Sequence, residues 1–445
     1  MFRQPTTPLD AWQYGYEELV DQDPDLALLL LAERRYQEAV IPMVAYASCA
    51  APSVLAAGAT ELGNVTAEGY PGHRYHPGCV NLDQVETLAQ SRARAAFGAR
   101  YANVQPHSGS QANLAVLFSR LAPGDPIMGM DLASGGHLTH GSRASAVGRT
   151  FDVRTYGLDP TGRVDYAEAE AVAREHRPKL IFVGASAYPR LFDYARFREI
   201  ADEVGAVLVA DISHIAGLVA ARAVPSPIDL AHVTTSSTYK QLGGPRGGLI
   251  LMGADHARAR VGRKSVADAL NNGVFPRTQG TLNPQSIAAK ARTFDLVDTE
   301  DFRSWMSRVR STADTLAEGL RTRGFALQTD GTDNHMVLAD LRSAGITGRQ
   351  LENGLERAGI LANKNAVPGD ELPPTVCGGI RFGTNILAQR GWNESDMDMC
   401  AELVARVRDA ISAGPERASI EIDEIASDVD AFIESARYAR NKVFA

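Results

Sequence analysis

The chain has 445 residues, 44% hydrophobic and 22% charged, an ordinary globular composition with enough length for two domains or more. A formal net charge of −8 and a pI near 5.7 argue against a nucleic-acid footprint. The longest leucine-rich run, Leu26–Ala32, is too short to span a bilayer, and no charged–apolar–small leader opens the chain, so a cytoplasmic protein with no membrane contact is expected.

Residues 1–30 are acidic and read as an N-terminal arm; 31–290 read as a large domain and 291–445 as a small C-terminal one. Leu31–Glu38 reads as an amphipathic helix. The segment from Glu68 to Tyr75 is punctuated by Gly69, Pro71 and Gly72, which makes it too rigid and too apolar for a plain linker. Leu82–Phe97 is helical, with Val85, Leu88, Ala89, Ala93 and Ala96 on one face. Ser108, Gly109 and Ser110 open the next helix, as an ordinary cap or as an anion cradle. Ile127–Met130 is a strand. The loop after it carries His137, and Gly135 and Gly136 ahead of it allow close backbone approach to a ligand. Residues 154–177 read as a linking turn plus an exposed helix, and Lys179–Gly184 as a buried strand delivering Ser186.

Ala206–Asp211 is short, apolar and β-branched, as a buried parallel strand should be, and His214 follows its terminal Asp211 by three residues. A second run, Ala231–Ser236, leads into Tyr239, Lys240 and a glycine-rich turn at 243–248, and Leu249–Met252 is again a strand. A strand-end lysine with a strand-end aspartate 29 residues upstream suits a pyridoxal phosphate (PLP) site. The lysine attaches the cofactor, and the aspartate keeps the pyridine nitrogen protonated so that the ring acts as an electron sink. Further on, Ser286–Leu296, Phe302–Arg321 and Gln350–Ala358 read as helices, Met336–Leu341 as a strand, and 414–445 as a terminal helix. The alternation over 80–255 implies an α/β fold with a mainly parallel sheet, followed by a smaller α+β domain. Cys49, Cys79, Cys377 and Cys400 show no paired metal spacing, so reduced thiols and no metal are expected.

Four stretches, EGYPGHRY (68–75), QPHSGSQAN (105–113), DISHIAG (211–217) and TTSSTYKQLGGPRGG (234–248), together resemble the serine hydroxymethyltransferase family, with similarity from about residue 30 to 410. The resemblance implies the PLP-dependent fold type I and an amino-acid substrate. It also implies tetrahydrofolate as one-carbon acceptor and a homodimer or homotetramer with shared active sites. By position, Lys240 carries the cofactor, Asp211 bonds the pyridine nitrogen and His137 stacks on the ring. Ser108, Gly109 and Ser110 take the phosphate, Ser186 the ring oxygen, and His214 lies beside the cofactor. Gly280 touches the neighbouring subunit's phosphate. Glu68 is the acid/base group, Arg381 in GIRFGT clamps the substrate carboxylate, and Tyr75 is a retained pocket tyrosine. Leu132, Gly136, Leu138 and Asn365 match folate-site positions.

Five positions depart from the family pattern. Tyr46 opens a Tyr-Ala-Ser triplet where Ser-Glu-Asn is usual. Thr66 replaces a tyrosine that reaches the neighbouring site, and His76 the second of two tyrosines. Tyr239 replaces the histidine before the lysine. Thr281 replaces a glycine, with either an altered backbone or a hydroxyl offered to the phosphate. Tyr46, Thr66, Tyr75, Tyr239 and Arg381 are therefore the substrate-side set. Their changes imply an altered amino acid, such as an α-substituted serine, or an altered carbon partner. A folate-independent PLP aldolase, transaldolase or Cα-alkylating enzyme of specialised metabolism is the second reading, and a non-enzymatic PLP-binding protein the third.

Overall fold

The computed structural model describes residues 8–257, 260–261 and 264–441. Seven strands form the main sheet: β1 (Tyr101–Asn103), β2 (Pro126–Met130), β3 (Asp152–Tyr156), β4 (Leu180–Val183), β5 (Val207–Asp211), β6 (Val233–Ser237) and β7 (Gly248–Met252). Their order is β1-β7-β6-β5-β4-β2-β3. Strands β2 to β6 pair in parallel, and β7 runs antiparallel to both β6 and β1. Strand β4 shows why these residues choose this layer. Leu180 and Phe182 enter the apolar cluster on one face with Ile127, Val209 and Ile250, while Ile181 and Val183 enter the cluster on the other with Met128, Leu208 and Leu251. A strand buried on both faces reads as an unbroken apolar run, which is the signature of a parallel sheet covered on both sides.

Strand β3 overlaps the start of the stretch expected to be a turn plus a helix; only the helix, Tyr166–His176, was foreseen. It is an edge strand with one fully buried residue, so no apolar alternation marks it. The helix expected from Leu31 begins earlier, at Pro24, where Asp23 accepts the Leu26 N–H at 3.2 Å and proline takes the first turn. That helix buries none of its residues, and Leu28, Leu29 and Leu30 stand exposed along it.

A second sheet contains β8 (Ala326–Leu327), β9 (Met336–Asp340), β10 (Asn363–Asn365) and β11 (Gly379–Gly383), all antiparallel, in the order β8-β9-β11-β10. Its core includes Val337, Ile380 and Phe382, helix residues such as Leu351, Leu403 and Val404, and Ile41 and Met43 from the N-terminal side. The helix Glu300–Thr322 belongs to both cores: Phe302, Trp305 and Val309 pack into the larger, Leu316 and Leu320 into the smaller. We propose the two cores as the large and small domains, with this helix shared between them. Among the described residues no helix is long and apolar enough to cross a membrane.

Candidate active site

Chain segments leaving the C-terminal ends of β2, β4, β5 and β6 meet the N-terminus of the helix Gly109–Arg120, the usual ligand position in open α/β sheets. They enclose a cavity of about 170 Å³. Of the residues expected at the site, Ser108, Gly109, Ser110, His137, Ser186, Asp211, His214, Tyr239 and Lys240 all line it.

Ser108 caps its helix and also stands at the cavity. Its Oγ accepts the Gln111 N–H at 3.0 Å as a helix cap, and it faces the cavity with Gly109 and Ser110. The first-turn amides of a helix have no partner within it, so this end is built for an anion. Gly109 has little room for a side chain, since a Cβ there would sit 3.2 Å from the Ser237 Cβ and N.

Asp211 is the most constrained group in the cavity. Its Oδ1 accepts from the Ser213 N–H at 3.0 Å and the Ser213 hydroxyl at 2.6 Å; its Oδ2 accepts from Asn113 Nδ2 at 2.7 Å and His140 Nε2 at 3.0 Å. Burial alone would raise its pKa, but the His140 hydrogen bond and charge, His137 and Ser213 together hold it far below the usual carboxylate range. His137 takes the Thr139 N–H on Nδ1 at 3.2 Å, and burial lowers its pKa to about 4, leaving a neutral ring. His214 is also kept neutral by burial. It stacks on His335 at 5.8 Å, and His335 Nε2 donates to the Ala45 carbonyl at 2.9 Å.

Lys240 is 7% exposed. Burial lowers its pKa to about 8; Asp211 opposes that shift, while Arg381 and Arg246 reinforce it. A nucleophilic amine near neutrality is what such burial provides. The Arg246 guanidinium lies 4.4 Å from the Tyr239 ring centre. The Ser48 hydroxyl donates to the Tyr239 carbonyl, so the altered 46–48 turn and the altered residue before the lysine are neighbours.

Arg381, central in β11, is 5% exposed. It donates to Asn363 Oδ1 at 3.2 and 3.1 Å and to the Ser186 carbonyl, and burial lowers its pKa to about 10. Its guanidinium lies 5.4 Å from the Tyr46 ring centre. Among the described residues no carboxylate pairs with it. A buried guanidinium held only by neutral carbonyl oxygens and without a counter-ion is suited to a carboxylate.

Arg381 and Tyr46 do not line this cavity but connect to it, Arg381 through the Ser186 carbonyl and Tyr46 through Arg381. Glu68, Thr66, Tyr75 and Gly280 do not line it either. They form a separate, exposed cluster. Glu68 Oε2 is 3.6 Å from His76 Nε2, and its Oε1 lies 3.4 Å from where a Cβ on Gly280 would sit. Tyr75 is 75% exposed, its ring 5.5 Å from Phe275. The loop is rigid because Arg74, nearly buried, donates to Asp83 Oδ1 at 2.8 Å, the Gly69 carbonyl at 2.7 Å and Glu86 Oε2 at 2.5 Å.

Two expectations are corrected. Thr281 is not among the residues with positive φ, in keeping with the altered-backbone alternative, but its hydroxyl is committed to Ala67 rather than free for a phosphate. It donates to the Ala67 carbonyl at 2.6 Å and accepts the Ala67 N–H at 2.9 Å. Gly135 and Gly136 do admit a close backbone, but it is the protein's own: Cβ atoms there would meet the Ala187 carbonyl at 2.6 Å and the Met130 carbonyl at 2.2 Å. Of the folate-matched positions, Leu132 and Leu138 are exposed, and Leu132 and His137 border a second cavity of about 550 Å³. Asn365 donates to the Ala366 carbonyl at 2.7 Å.

Sequence reasoning passed over Asn113, His140, Ser213 and Arg246. Their signal was present: Asn113 follows Gly109 by one helical turn, and His140 follows His137 by three residues on a short 3-10 turn. Ligand-capable atoms of His137, His140 and Asp211 lie within 4.8 Å of one another, but the His140–Asp211 hydrogen bond already occupies that junction.

The chain matches the family model described as serine hydroxymethyltransferase over residues 19–404, a span that holds both clusters. The chain therefore belongs to the serine hydroxymethyltransferase family, a family of PLP-dependent transferases of fold type I.

Proposed function

We propose that the protein is a PLP-dependent hydroxymethyltransferase-like enzyme that cleaves or forms the Cα–Cβ bond of serine or a related, α-substituted amino acid. Tetrahydrofolate is the one-carbon acceptor in this reading. The observation that carries it is the convergence, on one cavity, of a buried amine of lowered pKa, a carboxylate held charged and a helix N-terminus. These groups fit the cofactor's aldehyde carbon, pyridine nitrogen and phosphate respectively. When bound, PLP supplies an electron sink for the breaking bond.

The chain's own residues do the rest. With PLP bound, Asp211 would keep the proton on the ring nitrogen, and His137, Ser186 and the neutral His214, which line the same cavity, would hold the ring. Arg381, which no carboxylate of the described residues pairs, binds the substrate carboxylate. Glu68 moves the proton at the substrate hydroxyl. Because Glu68, Thr66, Tyr75 and Gly280 stand apart from the Lys240 cavity, we place them in the site of a second copy, which makes a homodimer or homotetramer the working form. Composition and charge favour a cytoplasmic location.

A second reading, a folate-independent aldolase, transaldolase or Cα-alkylating enzyme, draws on Tyr46 over Arg381 and Tyr239 under Arg246. Both alterations lie on the substrate side. The deciding experiment offers serine, α-methylserine and threonine with and without tetrahydrofolate and follows glycine or alanine release. Folate-dependent conversion of serine or α-methylserine is expected. Turnover that ignores folate moves the assignment to the second reading, and failure to bind PLP at all sinks both.

A further inference from the structure

The helix Pro284–Val297 places Lys290 inside the large core, 1% exposed. Its Nζ donates to three backbone carbonyls: Val104 at 2.6 Å, Pro106 at 3.1 Å and Gly248 at 3.1 Å. Among the described residues no carboxylate forms an ion pair with it. A lysine is almost never buried this way, because removing an ammonium from water costs several kcal/mol. Three carbonyl dipoles repay part of that cost, but apolar packing of the same volume would be cheaper. Burial lowers the Lys290 pKa to about 7 while the buried Glu86 carboxylate acts the other way, so an amine kept at this position asks for a use.

Its three partners indicate one. Val104 and Pro106 lie on the segment that leaves β1 and enters the Ser108–Ser110 cradle two residues later. Gly248 starts β7, donates its N–H to the Pro106 carbonyl at 2.8 Å, and packs so closely that a Cβ on it would meet the Ser108 carbonyl at 2.1 Å. Gly247 accepts the Thr238 N–H at 3.0 Å, two residues before Lys240. One ammonium thus ties the approach to the cradle to the turn that follows the attachment lysine.

We infer that Lys290 is a positioning residue for the cofactor phosphate. Through its three carbonyl hydrogen bonds it fixes the 104–108 segment against the 247–248 turn, directly behind the cradle. The inference rests on the PLP reading of the cavity.

The test compares equilibrium binding of PLP and of pyridoxal, which lacks the phosphate, to the full-length protein freed of cofactor. For the wild type a large preference for PLP is expected. In Lys290→Met that preference should fall by about tenfold or more, the scale of one lost charge-assisted contact. A general packing defect would weaken both ligands alike and leave the ratio unchanged. Gly247→Ala is the companion variant, because a Cβ there would lie 2.2 Å from Lys290 Cε and displace the amine without removing it. It reports on the same ratio wherever Lys290→Met does not fold. A ratio unchanged from wild type in the folded variants overturns the role of Lys290 alone. Absence of any phosphate preference in the wild type overturns the cofactor reading beneath it.

Discussion

The Lys240 cavity and the Glu68 loop were equally visible as motifs, yet they are built in opposite ways. Asp211 is held by four hydrogen bonds from three residues, and Lys240 and His214, which line the same cavity, are buried with it. Glu68 is partly exposed beside an exposed His76, and Tyr75 faces solvent. The loop itself is not loose, since Arg74 and Glu86 pin its base. A rigid scaffold that presents a carboxylate and a tyrosine outward is half of a site waiting for its complement. The comparison separates a buried pocket, in which the central carboxylate is fixed by its neighbours, from an exposed loop that is pinned at its base, and the proposal that the loop serves a second copy turns on that difference.

Mixing two inactive variants gives the largest expected effect and can break the comparison outright. Lys240→Ala should lose covalent capture of PLP and essentially all turnover; Glu68→Gln should lose about 10²–10⁴-fold in turnover while still capturing PLP. Dissociated and reassembled together, the two should regain about one quarter of wild-type activity, because half the dimers carry one site with both groups intact. Recovery is read as turnover after reassembly, with subunit exchange checked by mass. If mixing restores nothing although hybrids form, the two clusters do not complete each other across copies.

Asp211→Asn sharpens the cavity side. The substitution keeps the shape but removes the charge that His140 and Ser213 are arranged to hold. Turnover should drop by about 10²–10³-fold, as when a preorganised electrostatic group is lost. PLP affinity should change far less, because the cradle at Ser108–Ser110 is untouched. Equal losses in both would mean that Asp211 serves binding rather than charge.

The pH dependence of covalent PLP capture gives a smaller and more specific signal. The neutral amine is the attacking form, so capture accelerates as pH rises and levels off once Lys240 is deprotonated. With burial and the two arginines holding its pKa at about 8, the plateau should begin near that pH. A rate that keeps climbing toward 10.5, the ordinary lysine value, would show that the amine is not buried as described.

How much of this was legible in the sequence follows from range. Buried strands such as β4 and β5 announce themselves locally through consecutive apolar residues. Strand β3 does not, because an edge strand carries polar residues on its open side. Lys240 and Asp211 were readable because strand ends mark them. Lys290 was not, because its meaning lies in carbonyls 42 to 186 residues away. His140 was overlooked for a related reason: the partner that gives it a role, Asp211, is 71 residues on. Thr281 was read with the wrong neighbour in mind, since nothing local shows that Ala67 takes its hydroxyl.

The substrate-side departures carry the smallest expected effect. Tyr239 is held by Arg246 over its ring and by Ser48 at its carbonyl, and Ser48 shares its short turn with Tyr46, which covers the Arg381 fork. Tyr239→His exchanges the phenol ring beneath the guanidinium for a smaller imidazole and leaves the backbone hydrogen bond in place. The change should therefore act on kcat/KM for one amino acid over another, by about 10–200-fold, the range that pocket shape gives without a new hydrogen bond. PLP capture should be unchanged. A preference ratio between serine and α-methylserine identical to wild type would remove Tyr239 from the specificity set, leaving the turn at Tyr46 as the feature that separates this chain's substrate side from its family's.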